Sequence, residues 1–306
     1  MKLHKAFWTA VLLLAAIGIG GNARAAAREP RDWTITAIDI PGGTSTVVLD
    51  INAEGDIVGS YNANGTHGFL LSRNDDFTSF DFPGANFTRA AGINSRGDIV
   101  GTYRLPTDPM QARHGFLLRD GEFATIDPPG ARFTNPLGIN SRGDIVGRFC
   151  TTLPCATDGA NVHGFLLSEG EFTTINFPGA QGTNAWKINP RGDIVGGYTG
   201  ADGKKHVFLL SEGEFTTIDF PNASEPALDN GGINPRGDIV GVYCDRAPCR
   251  GTNPDAHGFL LSKHGEFTTI DYPGALDTNA LAVNARGDIV GVYDDATGTH
   301  GFLLSK

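Results

Sequence analysis

The chain has 306 residues, 42 glycines, four cysteines and a formal net charge of −10 at pH 7. That length suits one large or two ordinary domains. The chain is acidic and carries no block of Lys or Arg. It therefore lacks the cationic footprint that holds nucleic acid or anionic lipid, and neither is an expected partner.

Residues 1–25 read as a Sec-type signal peptide. Lys2, His4 and Lys5 precede the apolar run at 7–20, and Ala23-Arg24-Ala25 offers small residues at a cleavage site. The run of about 14 residues is short of the roughly 20 that a membrane span needs, and no second hydrophobic run follows. Removing the leader takes away Lys2, Lys5 and Arg24 and no acid, so the mature chain is more acidic still. Residues 26–306 are expected to form one exported domain, secreted or periplasmic, monomeric and without membrane insertion.

From Trp33 onward the chain repeats itself. The pentapeptide GDIVG begins at Gly55, Gly97, Gly143, Gly192, Gly237 and Gly287, at intervals of 42, 46, 49, 45 and 50 residues. HGFLL begins at His67, His114, His163, His257 and His300, with HVFLL at His206. A third block, FTTIDFPGA and its variants, has its diverged first copy in WTITAIDIPGG from Trp33. A period of this size signals a solenoid, a propeller or an array.

Within one unit, TRAAGIN, DIVGTY, HGFLLR and EFATIDP are four short segments of strand character. SRG joins the first two through a hairpin with glycine last, and LLS-EG-EFTT joins the last two through a tighter one. No segment sustains a helical period. Strands apolar on both sides, such as FLL, must be covered on both faces. Four antiparallel strands in each of six units predict an all-β fold, a six-bladed β-propeller.

The spacing from the proline of PGA to the next IN asparagine is 11 in five units and 13 between Pro221 and Asn234. Such constancy marks the crossing between blades. The inner strand is then TxAxGIN, followed by DIVGxY, HGFLLS and an outermost FTTIDFPG. The last unit lacks its outer strand, and Trp33–Pro41 can supply it, which closes the ring and removes open sheet edges.

Cys150 and Cys155, and likewise Cys244 and Cys249, are four residues apart between partners, in loops after second strands. In an exported chain this reads as two loop-pinning disulfides rather than zinc ligands, which favour C-x-x-C spacing. No metal or cofactor is expected.

The tripeptide Arg-Gly-Asp occurs five times, from Arg96, Arg142, Arg191, Arg236 and Arg286, always in the first hairpin. A turn role follows from that placement: glycine supplies positive φ and aspartate bonds local amides. An adhesion role would need a receptor. The histidines are expected to bond within their own blade, with Asp39, Asp81, Asp127, Asn176, Asp219 and Asp271 as a column of rim partners.

These blocks resemble the HAF-type extracellular repeat family of bacterial proteins. The matches are Ile93-Asn94, Gly97, Val100-Gly101, His114, Phe116-Leu117 and Asp81 or its equivalents. The sequence departs from that pattern at glycine for alanine in HGF, at leucine for tryptophan after FL, and at aspartate for glutamine after the turn glycine. The resemblance implies export and a propeller-like fold and assigns no catalytic residue.

Positions that break the repeat are the better site candidates, since a single site needs asymmetry. Two positions before each IN asparagine stand Asp50, Gly92, Gly138, Lys187, Gly232 and Ala282. Asp50 and Lys187 belong to opposite units and can face each other across the channel. They are either an exposed ion pair in a water-filled channel or a polar anchor for a ligand. Three residues earlier stand Val47, Arg89, Asn135, Asn184, Asp229 and Asn279, a varied polar ring suited to a sugar or another polar molecule. Tyr61, Tyr103, Phe149, Tyr198, Tyr243 and Tyr293 are expected to pack within the sheets. No GxSxG, HExxH or EF-hand signature is present. The expected function is an exported binding module for a polar small molecule, glycan or protein on the loop face. The alternatives are a secreted hydrolase or lyase that uses Asp50, Lys187, Arg89 and Asp229, and an adhesion protein that uses the RGD turns.

Overall fold

The computed structural model describes residues 33–155, 161–218, 220, 225–226, 231–245 and 256–306. The expected leader, Asp219, Asp229 and Cys249 lie outside them. The fold is all-β and propeller-like.

The first meander comprises β2 (Thr46–Ile51), β3 (Ile57–Asn62), β4 (Thr66–Leu71) and β5 (Phe77–Phe80). The second comprises β6 (Phe87–Ile93), β7 (Ile99–Arg104), β8 (His114–Arg119) and β9 (Glu122–Ile126). Next come β10 (Phe133–Ile139), β11 (Ile145–Cys150), β12 (His163–Ser168) and β13 (Glu171–Ile175), then β14 (Gly182–Ile188), β15 (Ile194–Thr199), β16 (Lys205–Ser211) and β17 (Glu214–Ile218). A further meander holds β18 (Glu225–Pro226) and β19 (Gly232–Ile233), both paired with β20 (Ile239–Cys244), then β21 (Ala256–Leu261) and β22 (Phe267–Ile270). The last is β23 (Asp277–Val283), β24 (Ile289–Asp295) and β25 (Gly298–Ser305). Its fourth strand is β1 (Thr34–Ile38), antiparallel to β25 with Thr34 opposite Ser305.

The first and last described strands thus share one sheet, as the missing outer strand requires. Among the described residues the strands form five hydrogen-bonded sheets rather than six separate ones. The first two meanders merge through a single parallel pair, Thr66 with Phe87. No helix among the described residues is long and apolar enough to cross a membrane.

Each strand order follows from local chemistry. In the outer hairpin of the third meander both turn residues have positive φ, 52° at Glu169 and 83° at Gly170. That geometry matches the twist of the flanking strands. In the second strand, the last glycine of GDIVG is demanded by packing. A Cβ on Gly101 would lie 2.0 Å from the Arg89 carbonyl and 2.8 Å from the Phe116 ring. Phe116 and its counterparts Phe69, Phe165, Phe208, Phe259 and Phe302 are the largest fully buried side chains. Neighbouring meanders also stack aromatic rings. Phe82 lies flat on Tyr103 at 3.6 Å, and Tyr272 on Tyr293 at 3.6 Å.

The first hairpin joins the units together. Asn94 Oδ1 accepts the N–H groups of Arg96 and Asp98 at 2.9 and 3.0 Å, which forms the turn. Its Nδ2 donates to Asp98 Oδ2 and to the Asn140 carbonyl of the next meander at 2.8 and 3.2 Å. The same step runs from Asn52 to Asn94, Asn140 to Asn189, Asn189 to Asn234, Asn234 to Asn284, and from Asn284 back to Asn52 at 3.2 Å. These bonds form a closed cycle.

The RGD turns belong to the same device. Asp98 is 5 % exposed and receives Asn94, Arg96 and Arg119. The guanidinium of Arg96 also reaches the Ser141 carbonyl, and that of Arg191 the Pro235 carbonyl at 2.8 Å. The aspartate that an adhesion motif would present is therefore engaged inside the turn.

Two outcomes test this frame. Asn140→Ala removes a turn former and an inter-meander bond together. It should cost about 2–3 kcal/mol in chemical denaturation, since several buried groups lose partners. The second outcome concerns pH. Burial opposes ionisation of Asp98, Asp144, Asp193 and Asp238, but their hydrogen bonds from Asn, Arg, Ser or backbone donors hold each below 3.8. A depressed carboxyl contributes stability that is present above its unfolded value and lost as pH falls through the folded one. The melting temperature should therefore drop between about pH 4 and pH 2, and less steeply in an Asp144→Asn/Asp193→Asn variant.

Candidate functional site

The inner strands meet around the axis, and five of the described ones, β2, β6, β10, β14 and β23, carry a β-bulge. The register shifts between Val48 and Asp50, Ala90 and Gly92, Pro136 and Gly138, Ala185 and Lys187, and Ala280 and Ala282. A bulge re-aims one side chain. The bulged residues Leu49, Ala91, Leu137, Trp186 and Leu281 come from different meanders yet share one buried cluster. The expected water-filled channel is corrected here: an apolar layer plugs the axis. The Trp186 indole belongs to this layer and packs against positions held by glycine. A Cβ on Gly197 would lie 2.4 Å from the indole, and one on Gly231 would lie 3.2 Å from it.

The plug divides the expected site residues into two groups. Asp50 and Lys187 lie on the side of the RGD turns, where a cavity of about 250 Å³ opens. Ile51, Ile93, Ile139, Ile188, Ile233 and Val283 also line it. The two residues do face each other, with Lys187 Nζ 3.0 Å from Asp50 Oδ2. The pair is not exposed, however: Asp50 is 8 % and Lys187 9 % exposed.

Every proton of the ammonium is used. Lys187 Nζ also donates to the carbonyls of Ala91 and Leu137 at 2.7 and 2.8 Å. Asp50 accepts the N–H groups of Ile51 and Ile93, both at 3.0 Å. One ion pair thus binds four meanders. Burial raises the Asp50 carboxyl and lowers the Lys187 ammonium, and the partner's charge opposes the shift in each case. Gly138 is needed for the close approach, since its Cβ would lie 2.9 Å from the Lys187 Cα.

The second group lies beyond the plug, at the starts of the inner strands. Asn135 pairs in register with Arg148, and Asn184 with Gly197. Arg89, Asn135, Asn184 and Asn279 all occupy this end, which the loops after the second strands share. Cys150 and Cys155 form the expected disulfide in one such loop. Cys244 is also disulfide-bonded, while Cys249 lies outside the described residues.

Polar chemistry here is less complete than elsewhere. Arg89 Nε, Asn135 Oδ1 and Trp186 Nε1 are buried atoms without a hydrogen-bond partner. Arg148 Nη1 donates to Asn184 Oδ1 at 3.3 Å. Burial, reinforced by the Arg148 charge, lowers the Arg89 guanidinium to about 10. Asn279 donates to Asp277 Oδ1 at 3.3 Å. Burial and the neighbouring Asp294 push Asp277 up to about 6.

Trp186 and Arg148 were not among the expected site residues. Each breaks its column in the repeat, where the equivalents are smaller or uncharged, and that asymmetry was the available signal.

The histidines act locally. His67 Nδ1 bonds Asp81 at 2.8 Å, His114 bonds Asp127 at 2.7 Å, His163 bonds Asn176 at 2.9 Å, and His300 bonds Asp39 at 2.7 Å. Among the described residues no group of His, Cys, Asp and Glu could hold a metal ion.

Neither a family model nor a curated protein matches the chain. Solved structures do. TolB from Acinetobacter baumannii superposes with a TM-score of 0.53 at 13 % identity, over 74 % of this chain and 53 % of its own, so the chain spans about half of TolB. AofleA from Arthrobotrys oligospora gives 0.57 at 13 % identity, covering 87 % and 84 %. The fucose-specific lectin from Aleuria aurantia gives 0.51 at 10 % identity, covering 87 % and 96 %. At such identities the likeness concerns the fold.

Removing one partner of the axial ion pair strands a buried charge, whereas removing both does not. Lys187→Met should destabilise by about 3–5 kcal/mol. Adding Asp50→Leu should recover most of that loss, read by urea denaturation of both variants.

Proposed function

We propose that this chain is an exported, monomeric six-bladed β-propeller that binds a polar ligand, a glycan above all, on the loop face around its axis. The hydrogen-bond cycle through Asn52, Asn94, Asn140, Asn189, Asn234 and Asn284 supports six blades, with β1 completing the last. The signal-like leader, the HAF-type resemblance and the Cys150–Cys155 disulfide support export.

The observation that carries the binding reading is the set of buried polar atoms left without partners at one end of the axis. The buried Asp50–Lys187 pair on the other side of the plug, by contrast, has its hydrogen bonds filled. Unpaired polar groups cost stability, and a ligand that supplies the missing bonds recovers it. The likeness to a fucose-specific lectin shows a fold of this type in a sugar-binding protein and supports a glycan as the ligand class. Asp50 and Lys187, on which an enzymatic alternative would draw, have their hydrogen-bonding capacity committed to each other and to backbone.

The test is a glycan array probed with the purified chain, followed by calorimetric titration of the best ligand. Asn184→Ala and Asn135→Ala should each weaken binding by about five- to tenfold, as lost hydrogen bonds do. Their melting temperatures should stay near that of the parent. Retention of no glycan, or binding untouched by both substitutions, would defeat the reading.

A further inference from the structure

Cations gather on the axis of this acidic chain. Arg89 and Arg148 belong to adjacent meanders and sit at the same level of the loop end, since Arg89 is the third residue of β6 as Asn135 is of β10, and Asn135 pairs with Arg148. Lys187 lies on the other side of the plug, and the Arg89 charge adds to burial in lowering its ammonium, against the opposing pull of Asp50. Lys187 has its carboxylate in Asp50. Arg89 has none among the described residues, and its Nε is buried and unbonded. Arg89 is half-buried, and a guanidinium whose buried N–H is left open is completed by an anion.

The surrounding groups say which anion. The Nε edge of a guanidinium offers two parallel N–H bonds, which match the two oxygens of a carboxylate. Trp186 is 2 % exposed, and its indole lies over Gly197 at the level of Asn184, with Nε1–H lacking an acceptor. It is a donor only. Asn184 accepts from Arg148 through Oδ1, which leaves its amide N–H groups to donate outward. Asn135 Oδ1 is the one unfilled acceptor in the set, and it suits a hydroxyl. Phe87 and Phe133, at the outer ends of the same strands, carry the guanidinium groups of Arg113 and Arg148 over their rings at 4.5 and 5.7 Å, which adds positive charge at the rim. Donors from β6 and β14 thus face this end beside the Asn135 acceptor, while the carboxylates of Asp277 and Asp294 lie at the start of β23 and the end of β24.

We infer that the loop-face end of the axis is a site for an acidic saccharide, with a uronate carboxylate on Arg89, assisted by the Trp186 indole N–H and the Asn184 amide, and a sugar hydroxyl on Asn135. This deepens the glycan reading above and rests on it. The carboxylate completes the open Arg89 Nε–H, while the hydroxyl completes the amide. The site exists because the repeat is broken at Arg89, Arg148 and Trp186 and nowhere symmetrically.

The experiment titrates the full chain with an oligogalacturonate, a neutral galactan oligomer of equal length and a sulfated oligomer, following tryptophan fluorescence and heat. The oligogalacturonate should bind and perturb the fluorescence, at least about tenfold more tightly than the neutral oligomer, with affinity falling as salt rises. Arg89→Gln should abolish that preference while leaving the unliganded melt unchanged or higher, since no internal hydrogen bond of Arg89 Nε is lost. Equal binding of the neutral and acidic oligomers would overturn the acidic assignment and leave the glycan reading intact. Failure of every oligosaccharide would sink both. Tighter binding of the sulfated oligomer would replace the carboxylate by a different oxyanion and overturn the assignment. A melt lowered by roughly 10 °C in Arg89→Gln would show that Arg89 is already paired within the chain, and would overturn it too.

Discussion

The asparagine that ends each inner strand holds this molecule together. Its side-chain oxygen shapes a turn, and its side-chain nitrogen crosses to the next unit's carbonyl, so local and tertiary structure depend on one amide. Asn284 donates to Asn52 across 232 residues of sequence, which makes the cycle closed rather than open. The strand β1, paired with β25, closes the outside of the ring where the asparagines close the inside. A chain tied at two radii behaves as one cooperative body, although its repeats are individually small.

Symmetry supplies this frame and thereby shows where function can lie. Turn asparagines, RGD aspartates, histidines and buried phenylalanines recur and are saturated by near neighbours. The axial residues do not recur. Asp50, Lys187, Arg89, Arg148 and Trp186 each occur once, and the glycines around Trp186 and Lys187 are the concessions their neighbours make. An ion pair on one side of the plug is complete, whereas the polar groups on the other side are not. That contrast is what the binding proposal rests on.

Much of this was legible in the amino-acid order. The repeat period, two tight turns per unit and apolar strands dictate stacked antiparallel meanders. The constant spacing from PGA to IN places the crossing, and the missing outer strand points to Trp33–Pro41. The facing of Asp50 and Lys187 follows the expectation drawn from their separation by three units of the repeat. The RGD turns are legible as turns because they recur with their glycine and asparagine.

What the sequence by itself determined is therefore the architecture and its order of strands, because these follow from local propensity and repetition. Only the tertiary structure decided that the axis is plugged, that Asp50 and Lys187 are buried and saturated, and that the polar ring lies on the opposite side of the plug. The physical reason is the β-bulge. In five inner strands it re-aims one residue into the shared buried layer, and a strand pattern of period two does not reveal the change of direction. Packing against Gly197 and Gly231 then decides how far one indole reaches, and which polar atoms are left without partners.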